Sequence, residues 1–343
     1  MNFLTELGCT LPIIQAPMAG VQDSQLALAV CRTGGLGSLP AAMLSPEDLE
    51  REMSALSSGT KGPWNVNFFA HTPPTPDSNR EANWRRLLAP YYAEFGIDPS
   101  TIQCGPGRQP FNAAAAALVE TFRPAVVSFH FGLPDERLLM QVRASGAQVW
   151  SSATTVDEAR WLESKGVDAI IAQGLEAGGH RGMFLSDDLS TQVGTFALLP
   201  QIVAAVQCPV IAAGGIATAA GVRAALALGA AAAQIGTAYL CCPEATTSPL
   251  HRGILHTEAA RHTALTNLFT GRPARGIINR LMREHGPLSR AVPIFPLATA
   301  AIAPLRVAAE KKGSSDFTPL WCGQNPVCPD MPATELTRKL AGI

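Results

Sequence analysis

Val167-Asp168-Ala169-Ile170-Ile171-Ala172-Gln173-Gly174-Leu175-Glu176-Ala177-Gly178-Gly179-His180-Arg181-Gly182 runs from a short apolar segment straight into a glycine-rich turn. A brief apolar run bounded by turn residues is how a strand buried on both faces of a parallel sheet reads. Gly178 and Gly179 lack a Cβ, so the backbone there can approach a bound group closely. His180 follows them directly, where a proton-transfer residue beside a ligand is needed.

The same pattern recurs along the chain. Apolar runs at 12–19, 35–40, 65–69, 125–131, 148–153, 168–173, 209–213 and 232–237 alternate with helical stretches. The helix predicted over 24–33 stops at Gly34-Gly35. Ser45-Pro46-Glu47-Asp48 supplies an N-cap, a proline at the first helical position and an acidic first turn. Thr154-Thr155-Val156-Asp157-Glu158 carries a capping pattern.

About eight strands alternating with helices over roughly 240 residues is the count of a (β/α)8 barrel. An open, doubly wound sheet would carry G-x-G-x-x-G after its first strand. Here the first run ends Gln15-Ala16-Pro17-Met18-Ala19-Gly20. The expected fold class is therefore α/β, a TIM (β/α)8 barrel over residues 1–245, with an additional mostly helical C-terminal segment, 246–343, packed on the barrel mouth. Residues 71–111 interrupt the alternation with prolines, a Trp/Arg/Tyr-bearing helical stretch and Gly105-Pro106-Gly107; they read as an excursion over the barrel.

Composition narrows the function classes. The chain has 343 residues, 47% hydrophobic and 15% charged, with a net charge of −1. No broad basic field favours nucleic acid or acidic lipid, so a small-molecule protein is expected. The eight cysteines form no C-x-x-C pair and read as reduced, buried thiols, consistent with a cytoplasmic protein. The first residues, Met1-Asn2-Phe3-Leu4-Thr5-Glu6-Leu7, lack the basic and apolar regions of a signal peptide. The alanine-rich run 212–240 is broken by Arg223, Gln234 and glycines and is not a membrane span.

Three glycine-rich turns fall at the ends of late strands: Gly174 with Gly178-Gly179, Gly214-Gly215, and Gly236-Thr237. In a barrel such turns, with a helix starting near Thr218, make a phosphate site from backbone N–H groups; without a ligand they are only tight strand-to-helix turns. No G-x-x-x-x-G-K-[ST] motif is present. Asn67 and Gln173 end the third and sixth strands, where an amide can meet a heteroaromatic edge or bond nearby backbone. His130, at the end of the fourth strand, is a candidate for substrate contact or a packed core residue. His180 is the stronger candidate for acid–base work. The other histidines have no metal-like spacing, and no metal is expected. There is no G-x-S-x-G, and Asp187-Asp188 reads as a solvated loop.

Taken in order, several strings resemble the nitronate monooxygenases, formerly the 2-nitropropane dioxygenases. They are Pro12-Ile13-Ile14-Gln15-Ala16-Pro17-Met18-Ala19-Gly20, Asn65-Val66-Asn67-Phe68-Phe69, Phe129-His130-Phe131-Gly132, the Gln173-to-Gly182 turn, Ala213-Gly214-Gly215-Ile216 and Gln234-Ile235-Gly236-Thr237. Phe269-Thr270-Gly271-Arg272-Pro273-Ala274-Arg275-Gly276 and Leu320-Trp321-Cys322-Gly323-Gln324 resemble the bacterial class I branch.

The resemblance implies a TIM barrel holding FMN non-covalently. Met18 would lie along the flavin, and Asn67 and Gln173 would bond it. Gly178, Gly179, Gly214, Gly215 and the Gln234-Ile235-Gly236-Thr237 turn would hold the phosphate side, with His180 in the active site. The implied reaction is oxidation of an alkyl nitronate, such as propionate 3-nitronate, by dioxygen to a carbonyl compound and nitrite. Arg272 or Arg275 would meet a substrate carboxylate. Small molecules are then the only expected partners, and the chain a monomer or homodimer. The class I pattern also expects a tyrosine-like aromatic around Phe295-Pro296-Leu297. Two alternatives stay open: an FMN barrel reduced by NAD(P)H, such as an enoyl-acyl-carrier or quinone reductase, and a barrel that binds a phosphorylated ligand without turnover.

Overall fold

The computed structural model of the protein describes residues 3–102 and 107–343. The turn read at Gly105-Pro106, Cys104 and the first two residues lie outside the described residues.

Eight parallel strands make the central sheet: β1 (Ile13–Gln15), β2 (Gly37–Pro40), β3 (Trp64–Phe69), β4 (Val126–His130), β5 (Gln148–Ala153), β6 (Ala169–Gln173), β8 (Val210–Ala213) and β9 (Ala232–Ile235). The intervening β7 (Gly179–His180) belongs to a second, smaller sheet. The strand order is β1-β9-β8-β6-β5-β4-β3-β2. Its two ends meet: Ile14 bridges Leu36, the Gln15 N–H donates to the Leu36 carbonyl (2.9 Å) and the Leu36 N–H to that of Ile13 (2.9 Å). The sheet is thus a barrel, as the alternating apolar runs require, and nearly every strand residue is buried against either the interior or the helices.

Local chemistry sets the helix starts. Asp23, Ser45, Asn112, Thr155 and Thr218 each occupy an N-cap and accept a backbone N–H from the first turn. Glu158, three residues after the Thr155 cap, reaches one residue further back than a capping box would. One carboxylate oxygen takes the Thr154 N–H and hydroxyl (both 2.7 Å), and the other takes the Phe184 N–H (2.6 Å) beyond the His180 turn.

The amino-terminal end of the barrel is filled by Trp150, Val126, Ala169 and Ile211, and the short helix Phe3–Glu6 covers it with Leu4 and with Phe3, whose ring lies 5.4 Å from Trp150. At the other end the helix Ser78–Phe95, from the excursion, packs on Thr299–Lys311 of the C-terminal segment. Trp84, Leu88 and Tyr92 are buried there with Leu268, Phe269, Leu305 and Phe317. Arg280 ties the two parts with a forked contact to Glu94 (2.8 and 2.9 Å).

Two features of the mostly helical C-terminal segment are not expected from the sequence. β10 (Thr263–Thr266) and β11 (Ala274–Ile277) pair antiparallel, and β11 pairs in turn with β7, placing Ala274 opposite His180. These strands are four residues or fewer, too short to show a period in the sequence, and what stabilises them is each other. The last helix, Ala333–Ala341, is not at the mouth; Leu336 and Leu340 pack beside the helix Ser24–Thr33 on the flank of the barrel.

Trp150 is fully buried at the closed end. Trp150→Ala is expected to destabilise the protein by about 3–5 kcal/mol, read as a lowered denaturation midpoint. A loss under about 1 kcal/mol would show that this end of the barrel is not close-packed.

Candidate active site

A single cavity opens at the carboxyl ends of the strands. Met18, Asn67, Gln173, Gly178, Gly179, His180, Gly214, Gly215, Gln234, Gly236, Thr237 and His130, all singled out from the sequence, line it. Ile235 does not: its side chain turns into the helix layer with Ile13, Leu26 and Val30, as strand alternation dictates for a neighbour of inward-facing Gln234.

The turn after β6 is held from below by side chains. Gln173 Nε2 donates to the His180 carbonyl (2.9 Å), and Gln173 Oε1 accepts the Gly182 N–H (2.7 Å). Arg181 is fully buried, and its guanidinium donates to the carbonyls of Gly174 and Gln173 (2.7 Å each) and to Gln192 Oε1 (3.0 Å). Pairing with β11 holds the turn from above. Glycine is required at two points here. A Cβ on Gly178 would stand 2.7 Å from the Cys322 and Gly323 backbone, and Gly179 has φ +72°.

His130, expected as a substrate contact, has both ring nitrogens engaged within the protein. Nδ1 meets Ser152 Oγ (2.7 Å) and Nε2 meets the His180 carbonyl (3.1 Å). A carbonyl only accepts, so Nε2 carries the hydrogen and Nδ1 accepts from Ser152. His130 thus serves to position the His180 turn.

His180 Nε2 lies 3.0 Å from Thr270 Oγ1, and Nδ1 has no partner among the described residues. Phe69, Phe131, Phe295 and Trp321 surround the imidazole with ring centroids 6.0, 6.0, 5.4 and 5.6 Å away. Phe131 sits at φ +73°, a left-handed conformation rare for a bulky residue, and is held there by its buried packing. Where the class I pattern has a tyrosine-like aromatic this chain departs from it with Leu297, which faces a separate small depression beside Trp84, while the neighbouring Phe295 packs on the imidazole.

Burial, then the positive charges of Arg108 and Arg272 among others, hold His180 well below the usual imidazole range. Burial brings His130 down to about 3, and His71 and His251 to about 4. These imidazoles are neutral at physiological pH.

On the side of the late strands, the backbone N–H groups of Gly178, Gly215 and Gly236 donate no hydrogen bond among the described residues. Gly215 has φ +71°, and Asn325 Nδ2 caps its carbonyl (3.0 Å). Three unpaired donors converging on one cavity suit an anion. Asn67 Nδ2 donates to Ser128, so its carbonyl oxygen is left for a ligand, and Gln234 Oε1 is buried without a partner.

Neither arginine expected at a carboxylate lines the cavity. Arg275 donates to the Leu175 carbonyl and Thr263 Oγ1 (2.9 and 3.1 Å). Arg272 donates to the Met183 carbonyl and lies 4.1 Å from the Phe131 ring centre. The charged residue that does line the cavity is Arg108, in the excursion; no aspartate, glutamate or lysine lines it among the described residues. Sequence reasoning missed Arg108, Thr270 and Trp321. Only the chain segments carrying the last two stood out, as family-like strings.

The neutral histidines set a stability–pH relation. Between about pH 4 and 6.5 the unfolded chain binds protons at His71, His130 and His251 that the folded protein does not, so stability rises with pH in that window. Each adds at most about 1.4 kcal/mol per pH unit. The melting temperature is expected to fall steadily from pH 7 to pH 5 and to fall less in His71→Gln/His251→Gln. An equal slope in wild type and variant would contradict the assignment.

Comparison with known proteins accords with this geometry. The family profile named Nitronate monooxygenase matches residues 2–342. Nitronate monooxygenase of Paraburkholderia phytofirmans is 41% identical over 340 residues, covering 97% of this chain and 92% of that one. The Pseudomonas aeruginosa nitronate monooxygenase is 41% identical over 348 residues, covering 99% and 97%. The crystal structure of nitroalkane oxidase from Streptomyces ansochromogenes superposes with a TM-score of 0.90 at 40% identity, covering 99% of this chain and 96% of that one. With family, relatives and architecture in agreement, the chain belongs to the nitronate monooxygenase family and is an oxidoreductase that oxidises nitronates.

Proposed function

We propose that the protein oxidises alkyl nitronates, propionate 3-nitronate among them, with dioxygen at a non-covalently held FMN, giving a carbonyl compound and nitrite. The observation that carries this reading is the set of unpaired N–H donors at Gly178, Gly215 and Gly236, in the same cavity as a neutral, half-buried His180.

The residues fit the cofactor. The glycine N–H groups and Thr237, at the start of a short 3-10 turn, would take its phosphate. The Asn67 carbonyl oxygen, the Gln234 carboxamide and the remaining Nε2 hydrogen of Gln173 would meet the ring and ribityl chain. Met18, whose N–H is fixed by Gln22 Oε1 (2.8 Å), would lie against it. The chemistry FMN supplies when bound is passage of electrons from the nitronate to dioxygen.

This chain's own residues do the rest. A cavity whose lining holds a cation and no carboxylate favours the nitronate, which is already an anion. A neutral nitroalkane must first lose its α-proton. His180 Nδ1 accepts it, with Nε2–H donating to Thr270 and fixing that tautomer. Held well below its usual range, His180 is a weak base, so the nitronate is the better substrate. Free thiols at Cys9, Cys31, Cys208, Cys241, Cys242, Cys322 and Cys328 support a cytoplasmic setting, where the enzyme works on small molecules as a monomer or homodimer.

The test is oxygen uptake by the yellow protein with propionate 3-nitronate and no added NAD(P)H. Uptake with nitrite release is expected. No uptake, together with rapid anaerobic bleaching by NADH, would instead select the reductase reading. In His180→Asn, nitroalkane turnover is expected to fall by about 10²-fold or more, the usual scale for a general base, and nitronate turnover by far less. Equal losses would remove the base assignment.

A further inference from the structure

We propose that Arg108 is the carboxylate-reading residue of the cavity: it pairs with an anionic group at the far end of the substrate and so selects nitronates that carry a carboxylate over simple alkyl nitronates. The inference rests on the nitronate reading above and deepens it by assigning the residue that sets substrate class.

Arg108 is the formally charged residue in the cavity lining among those described, and no aspartate or glutamate forms an ion pair with it. Its Nη1 donates to Thr299 Oγ1 (3.1 Å), and among the described residues Nη2 has only a long contact to Met43 Sδ (3.9 Å). A guanidinium has five N–H donors in a planar fork, so most of its capacity is unspent. Arg108 is half-buried with no acidic partner among the described residues, so an anion would compensate a charge that is only partly solvated. Burial lowers the Arg108 pKa to about 10, and the nearby Arg306 charge lowers it further rather than restoring it. Such a cation, anchored at one tip by a threonine and open at the other, suits a planar carboxylate gripped by two parallel bonds.

Its position fits the task. Arg108 and His180 line the same cavity, and after burial the Arg108 charge is the first influence that keeps the imidazole neutral. The loops that carry Arg108, Met43 and Thr299 are not those that carry the phosphate-side glycines, so Arg108 is not needed for the cofactor's phosphate. The other candidates do not line the cavity: Arg275 is held by backbone and Thr263, and Arg272 by the Met183 carbonyl and the Phe131 ring.

The competing role is that Arg108 binds the nitronate group itself, the part common to all substrates. The two roles separate in a ratio. For wild type, Arg108→Gln and Arg108→Lys, kcat/KM is measured by oxygen uptake with propionate 3-nitronate and with butyl-1-nitronate, which has a similar length and the nitronate charge but no carboxylate. Loss of a charge-assisted, two-bond contact is expected to lower the ratio of the two values roughly 10- to 100-fold in Arg108→Gln, mostly through KM. Arg108→Lys is expected to be intermediate, keeping the charge and losing the fork. A parallel fall on both substrates, with the ratio unchanged, would overturn the proposal. Anaerobic isothermal titration with 3-nitropropionate and 1-nitrobutane reads the same ratio without turnover. If wild type oxidises neither nitronate, the functional reading fails, while the titration still decides whether Arg108 selects the carboxylate.

Discussion

The site depends on one buried cation. Arg181 has no exposure to solvent, and its guanidinium is satisfied by the carbonyls of Gln173 and Gly174 and by Gln192. Taking that charge out of water is unfavourable unless every donor finds an acceptor. The turn after β6 therefore has one low-energy way to fold back on its own strand. That path fixes the residue before it: the His180 carbonyl is caught between Gln173 and His130, and its imidazole is delivered to the cavity. The clamp continues through Gln192 to Thr154 and Glu158, and from Glu158 to the backbone at Phe184. Side chains from three barrel loops thus hold the His180 turn, which has almost no regular structure of its own.

The electrostatics of the cavity follow from what lines it. Arg108 brings positive charge, and unpaired N–H groups gather beside the glycines. The neighbouring histidines are too deeply placed to take protons. Such a cavity receives anions without needing to make them. Burial first, and then the same positive field that would attract a nitronate, keep His180 unprotonated, and a histidine so depressed abstracts protons poorly. On the proposed reading, preference for the pre-formed anion and weakness toward the neutral nitroalkane both follow from this setting.

Much of the barrel was legible in the chain because buried parallel strands are apolar throughout: β5 spans the expected residues, and the other seven barrel strands lie within the expected runs or one residue beyond them. Helix starts were legible because caps are chemical: Asp23, Ser45, Thr155 and Thr218 each accept a first-turn N–H. What escaped depends on contacts between distant segments. β10 and β11 are too short to show a period, and β7 exists only because β11 lies against it. His130 reads as a ligand contact until Ser152 and the His180 carbonyl are seen on its two nitrogens. Arg108 lies in an excursion whose prolines suggested a covering loop, and only folding shows that the loop reaches the cavity. The nearby Arg272 and Arg275 drew attention through the family-like string around them, yet backbone carbonyls occupy both.

The central claim is that strand ends, glycine N–H groups and an imidazole converge on one phosphorylated flavin. A crystal structure of the protein saturated with riboflavin 5′-phosphate tests it most directly. The account predicts the phosphate within hydrogen-bonding distance of the Gly178, Gly215 and Gly236 N–H groups, and His180 Nδ1 facing the space above the ring. A phosphate seated elsewhere, or His180 turned from the ring, would contradict it.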